Sequence, residues 1–186
     1  RLTQLLVDFT PRTEIYSIDE SFMDLSELVS TDYYLQMLML RRRIWSHIGI
    51  PVSIGIASTK TLAKLASDRA KKDLSLQGVL DLTICSPVEL AQERQRLPVE
   101  DVWGVGRCFA PKLRGEGIAQ ADDLANLRPA RARQLMSIKG EQTVRELCGQ
   151  TCLKLEGLKS LPKSIARTRT FGEDTNQLAA LESAIA

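Results

Sequence analysis

Apolar and polar positions change period several times along the chain, and each change predicts an element. Leu2, Leu5, Leu6 and Phe9 share one helical face, and Pro11 stops that helix. Residues 14–18 alternate as a strand, residues 21–25 read as its antiparallel partner, and Asp19 and Glu20 fall at the join. Asp32 caps a helix that runs to Ile48, with Tyr34, Leu38, Ile44 and Ile48 as buried candidates and Met37 and Met39 as core filler. Gly49-Ile50-Pro51 is a break. Residues 52–57 read as a strand, Ser58-Thr59 cap a helix from Lys60 to about Lys71, and residues 77–80 form a further short strand. This alternation is that of an α+β fold with one mostly antiparallel sheet and helices on one face.

After Ser86-Pro87, which fits a helix start, the pattern changes to short helices with glycine-rich links. Trp103-Gly104-Val105-Gly106, then Leu113, Gly117-Ile118 and Leu124, fit a helix-hairpin-helix unit. Residues 129–136 and 141–148 read as two more helices. Residues 151–162 read as a linker, residues 165–171 as a strand, and a last helix starts near residue 175. The expected division is residues 1–85, 86–156 and 157–186.

Composition narrows the class. The chain has 186 residues, 44% hydrophobic and 26% charged, as in a globular protein. No window reaches the ~18 apolar residues of a membrane span. Cys85, Cys108, Cys148 and Cys152 form no C-x-x-C pair and His47 is the one histidine, so a zinc site or Cys-His nucleophile is poorly supported. Reduced thiols in a cytoplasmic protein are the default. The chain does not begin with Met and opens and closes in mid-pattern, which predicts a piece of a longer protein.

The net charge of +2 conceals segregation. Residues 1–40 carry seven acids and two bases, whereas residues 41–72 carry eight bases and one acid. Alternating blocks of this kind suit a protein that holds metal in one place and polyanion in another, or one whose helix faces are simply solvated.

Two stretches carry candidate chemistry. Asp19 and Glu20 are adjacent carboxylates with no basic residue from Ile18 to Glu27. Such a pair repels itself, and Mg²⁺ held by a few carboxylates and phosphate oxygens would relieve it. A polar turn facing water fits the same residues. Both side chains can serve one ion only if the turn twists the backbone between them. In the second stretch, Gly104, Val105 and Gly106 can offer backbone amides to a phosphate at a helix N-terminus, with Arg107, Lys112 and Arg114 adding charge. Arg167 and Arg169 fall on one face of the late strand and can track a nucleic-acid backbone.

These residues together resemble the Y-family translesion DNA polymerases, in the UmuC-like branch. The motifs are Tyr16-Ser17-Ile18-Asp19-Glu20-Ser21-Phe22-Met23-Asp24-Leu25, Gly55-Ile56-Ala57 with Asp68-Arg69-Ala70-Lys71, Val102-Trp103-Gly104-Val105-Gly106, and Arg169-Thr170-Phe171-Gly172-Glu173. The resemblance implies a partial palm (1–85), a helix-hairpin-helix thumb (86–156), and a linker with the start of a little finger (157–186). It implies that Asp19 and Glu20 are catalytic and are two of three carboxylates for two Mg²⁺ ions. It implies that Lys71, with Lys64 the weaker candidate, contacts the triphosphate, while Asp24 is structural support. Implied substrates are primer-template DNA and dNTP. Implied partners are a UmuD-type accessory subunit, RecA and the sliding clamp, in a cytoplasmic, nucleoid-associated setting without membrane. The third carboxylate and the fingers fall outside these 186 residues, so the chain alone is expected to be inactive. A non-catalytic DNA-binding module is the alternative. A hairpin-bearing glycosylase or nuclease is disfavoured, because no aspartate follows Lys112 until Asp122.

Overall fold

The computed structural model describes residues 1–28, 32–156, 170–172 and 174–185. Helix α1 (Leu2–Phe9) ends two residues before Pro11 and leads into strands β1 (Thr13–Ile15) and β2 (Ser21–Met23). These pair antiparallel, with Thr13 opposite Met23. Helix α2 (Tyr33–Ile48) starts on Asp32, whose side chain accepts from the Leu35 amide, and ends on Gly49 at φ +77°. Strand β3 (Ile54–Ile56), helix α3 (Lys60–Lys72) and strand β4 (Val79–Asp81) follow. β3 and β4 pair in parallel, Ile54 opposite Val79.

The sheet departs from expectation. Instead of one mostly antiparallel sheet there are two separate two-stranded sheets, one of them parallel. The reason is connectivity: α3 links β3 to β4, and a crossover helix returns the chain in the same direction. Nor do the helices share one face. Ile56 and Val79 pack with Met37, Leu40 and Ile44 of α2, whereas Leu62, Leu65 and Ala66 of α3 belong to a second core, against which Ala57 and Leu80 pack. The parallel pair is therefore sandwiched between α2 and α3. Gly55 makes the α3 side possible, since a Cβ there would lie 2.1 Å from the Ala63 carbonyl oxygen and 2.4 Å from the Ser67 nitrogen.

The α2 expectations need adjustment. Met37 is buried, but Met39 is exposed. Arg41, half-buried on the same helix, is tied down: its Nε donates to the Val52 carbonyl at 2.9 Å.

The second core continues through the helical half. It joins α3 to Val99, Val102, Val105, Leu113, Leu124, Met136, Val144 and Leu147, all buried. Helix α4 (Pro87–Gln95) opens with a Ser86–Glu89 capping box. A single 3-10 turn (Val99–Asp101) precedes α5 (Gly106–Gly115), α6 (Ala121–Ala125) and α7 (Pro129–Leu147). The first helix of the hairpin unit is thus only that one turn. α7 breaks at Met136 and Ser137, the latter at φ +67°, which accounts for its reading as two helices. α8 (Leu178–Ile185) matches the last expected helix. The expected strand over residues 165–171 lies almost wholly outside the described residues. Among the described residues, no helix is long and apolar enough to cross a membrane.

Candidate active-site cleft and phosphate-facing turn

The β1–β2 hairpin closes tightly. The amides of Tyr16 and Ser17 both donate to the Glu20 carbonyl at 3.0 Å. Ser17 Oγ accepts from the Glu20 amide at 3.1 Å and donates to Asp19 Oδ1. This local turn replaces the expected strand over residues 16–18, and it turns Asp19 and Glu20 into the same cleft of about 770 Å³. The Ser17 hydroxyl, a backbone amide, and the charges of Lys64 and Lys71 hold the exposed Asp19 carboxyl below its ordinary 3.8.

The cleft is also lined by Lys64, Asp68, Lys71, Asp101 and Trp103. Lys71 is exposed and makes no ion pair among the described residues. Lys64 is differently placed: its ammonium donates to both carboxylate oxygens of Glu20, at 2.7 and 2.6 Å. Three aromatic rings pack beside it, Tyr16 and Phe22 from the hairpin and Trp103 from the helical half. Asp24 lies out of the cleft, with Oδ2 2.8 Å from Arg12 and Oδ1 accepting from the Ser26 amide, a supporting position.

Two carboxylates at this end of the molecule bind protein groups in the interior. Glu14 is buried, pairs with Lys60 at 2.5 Å and accepts from the Glu156 amide. Glu146 of α7 is wholly buried and accepts from the amides of Thr61, Cys152 and Leu153 at 3.1, 2.7 and 3.0 Å. It thereby satisfies an orphan donor at the N-terminus of α3, where the helix dipole favours a negative charge. Sequence reading missed both, and missed the Trp103 contact. The partners of Glu146 in α3 lie 85 residues away in sequence, and a single Glu in a helix gives no sign of them.

The turn at residues 104–106 is built locally. Gly104 has φ +90° and Gly106 φ +56°, a region that favours glycine. The Val105 side chain is buried and anchors the turn, leaving Gly104, Gly106 and Arg107 exposed. The first amides of α5 have no intrahelical acceptor, so they face outward as donors. Lys112 is exposed, and its Nζ donates to the Leu135 carbonyl at 3.1 Å, which ties α5 to α7. Arg114 is engaged by Glu100. Arg167 and Arg169 lie outside the described residues.

Two clusters are thus joined through Trp103, which packs on Tyr16 and Phe22: a carboxylate-bearing hairpin in a lysine-lined cleft, and a glycine turn that presents amides. Residues 1–68 match the impB/mucB/samB family. The UmuC protein of Salmonella typhimurium is 38% identical over 193 residues, which takes in all of this chain and 44% of that protein. The SamB protein of Salmonella typhimurium is 36% identical, over 97% of this chain and 43% of that protein. The fold is also that of a crystal structure described as a DinB-family error-prone DNA polymerase from Sulfolobus solfataricus. There the TM-score is 0.68 and the identity 21%, covering 84% of this chain and 46% of that one. In sequence the chain is UmuC-like, and these matches support a Y-family polymerase fragment. It spans less than half the length of the curated relatives it matches.

Proposed function

We propose that these residues form part of a translesion DNA polymerase, a Mg²⁺-dependent nucleotidyltransferase acting past damaged template. The observation that carries this reading is the Asp19–Glu20 pair turned into one cleft with the exposed Lys71, while Trp103, the residue before the turn at residues 104–106, packs on Tyr16 and Phe22 of the hairpin. In this reading residues 1–85 are a partial palm, 86–156 a thumb, and 157–186 a linker and the start of a little finger.

Asp19 and Glu20 suit a hard divalent ion, because Mg²⁺ takes a few carboxylates and leaves its other positions to water and phosphate oxygens. Among the described residues no three His, Cys, Asp or Glu side chains converge; in this reading the pair is two of the three carboxylates that such a polymerase needs. Bound ions would supply Lewis-acid stabilisation of charge on the transferring phosphoryl group. Lys71 supplies a point charge for the triphosphate. The amides at Gly104 and Gly106, aided by Arg107, hold a DNA phosphate and fix register without reading sequence; the Val105 amide, expected to join them, instead donates to the Val102 carbonyl at 3.0 Å. Primer-template DNA and dNTP are the substrates, and a UmuD-type subunit, RecA and the sliding clamp the partners, in a cytoplasmic and nucleoid-associated setting. The 186-residue polypeptide by itself is expected to show no template-dependent incorporation.

In the longer protein that contains this chain, Asp19→Ala or Glu20→Ala should lower primer extension by at least about a hundredfold while DNA affinity is kept. Undiminished extension would instead favour a DNA-binding module without catalysis.

A further inference from the structure

Glu20 already has a cation. Lys64 reaches across from α3 and engages both carboxylate oxygens. Its ammonium lies 5.3 Å from the centre of the Tyr16 ring and 5.1 Å from that of Trp103, within the range of a cation–π contact. The rings support one another: Trp103 meets Tyr16 edge to face at 5.3 Å and Phe22 at 5.6 Å. The ammonium is thus held by a carboxylate on one side and by two rings on the others. Lys64 is three-quarters covered, and Glu20 is the more exposed partner. A divalent ion approaching Glu20 from the cleft needs the oxygen lone pairs that Lys64 now uses.

We propose that Lys64 is the resident counter-cation of the Asp19–Glu20 pair, exchanged for the divalent ion when it binds, and that Trp103 is the positioning residue that holds the ammonium in place. This rests on the reading of Asp19 and Glu20 as metal ligands. Before exchange, Lys64 relieves the repulsion between the two carboxylates. After exchange, the freed ammonium remains in the cleft near Lys71, where an anionic ligand adds the matching charge. Trp103 directly precedes the turn at residues 104–106, so the exchange is felt where the helical half offers its amides.

The test uses the whole 186-residue chain. Mn²⁺ affinity is measured from the electron paramagnetic resonance signal of the free ion. Trp103 emission is followed during Mg²⁺ titration in a Trp45→Phe background, Trp45 being exposed on α2. Lys64→Met should bind Mn²⁺ about two- to fivefold tighter, the range set by losing one partly screened ion pair. Lys71→Met removes the same charge from the same cleft without touching Glu20, and should change affinity by less than half as much. Mg²⁺ should shift Trp103 emission in the Trp45→Phe chain and leave it unmoved when Lys64→Met is added. Equal affinity with and without Lys64 overturns the proposal, as does binding undetectable in both. Equal tightening by Lys71→Met, or a Trp103 response that persists without Lys64, also overturns it. Glu20→Ala separates the two readings: if it binds Mn²⁺ as the unaltered chain does, the metal assignment itself fails.

Discussion

The hairpin cleft and the glycine turn solve their structural problems by opposite means. The turn at residues 104–106 is set by its own sequence: two glycines supply the positive φ angles and a buried Val105 anchors the loop. The cleft is assembled from distant parts. Glu20 meets Lys64 across 44 residues, Glu14 meets the Glu156 amide across 142, and Trp103 reaches the hairpin from the helical half. A locally encoded site survives damage elsewhere in the fold. A site assembled from separate segments depends on the contacts that hold those segments together.

That contrast sets the order of expected effects. Gly55→Ala should be the most damaging change, because its Cβ meets backbone of α3 that cannot move without parting helix from strand. About 3 kcal/mol or more of stability should be lost in denaturant unfolding. Glu146→Ala should follow at about 3 kcal/mol, since it strands buried amide donors at the N-terminus of α3 and after α7. Both should disturb the cleft before the turn, and amide exchange at residues 104–106 outpacing that of the hairpin would break the comparison. Gly106→Ala should cost about 1–2 kcal/mol through its positive φ. It should weaken binding to duplex DNA evenly across sequences and leave Mn²⁺ binding at the hairpin as it was.

The smallest effect concerns acid. The Ser26 hydroxyl and amide, with Arg12 nearby, hold Asp24 below its ordinary 3.8. Its contribution to hairpin stability is therefore complete above that value and disappears as pH falls below it. An Asp24→Asn chain should show a shallower loss of stability over that acid range than the unaltered chain.

The same contrast explains what the sequence made legible. Helix limits, the Asp32 cap, the break at Gly49 and the turn at residues 104–106 rest on neighbours within a few residues, and pattern alone locates them. The pairing of β3 with β4 in parallel follows from the crossover through α3, a topological fact that strand patterns do not state. Lys64 reads in the sequence only as a phosphate contact, because nothing near it reveals Glu20. Lys112 reads as a DNA contact, and its bond to the Leu135 carbonyl, 23 residues away, has no sign in the sequence. The burial of Glu146 had no signal, since a lone glutamate in an amphipathic helix reads as solvated.

The central claim is that the hairpin carries the chemistry and the turn carries the grip. It is tested most directly by Glu20→Gln in the longer protein that contains this chain. Single-turnover primer extension and DNA affinity are measured on the same preparation. The account predicts that extension falls by about a hundredfold or more while DNA affinity stays within about twofold. Extension that persists at the unaltered rate, or that falls only in step with DNA affinity, would contradict it.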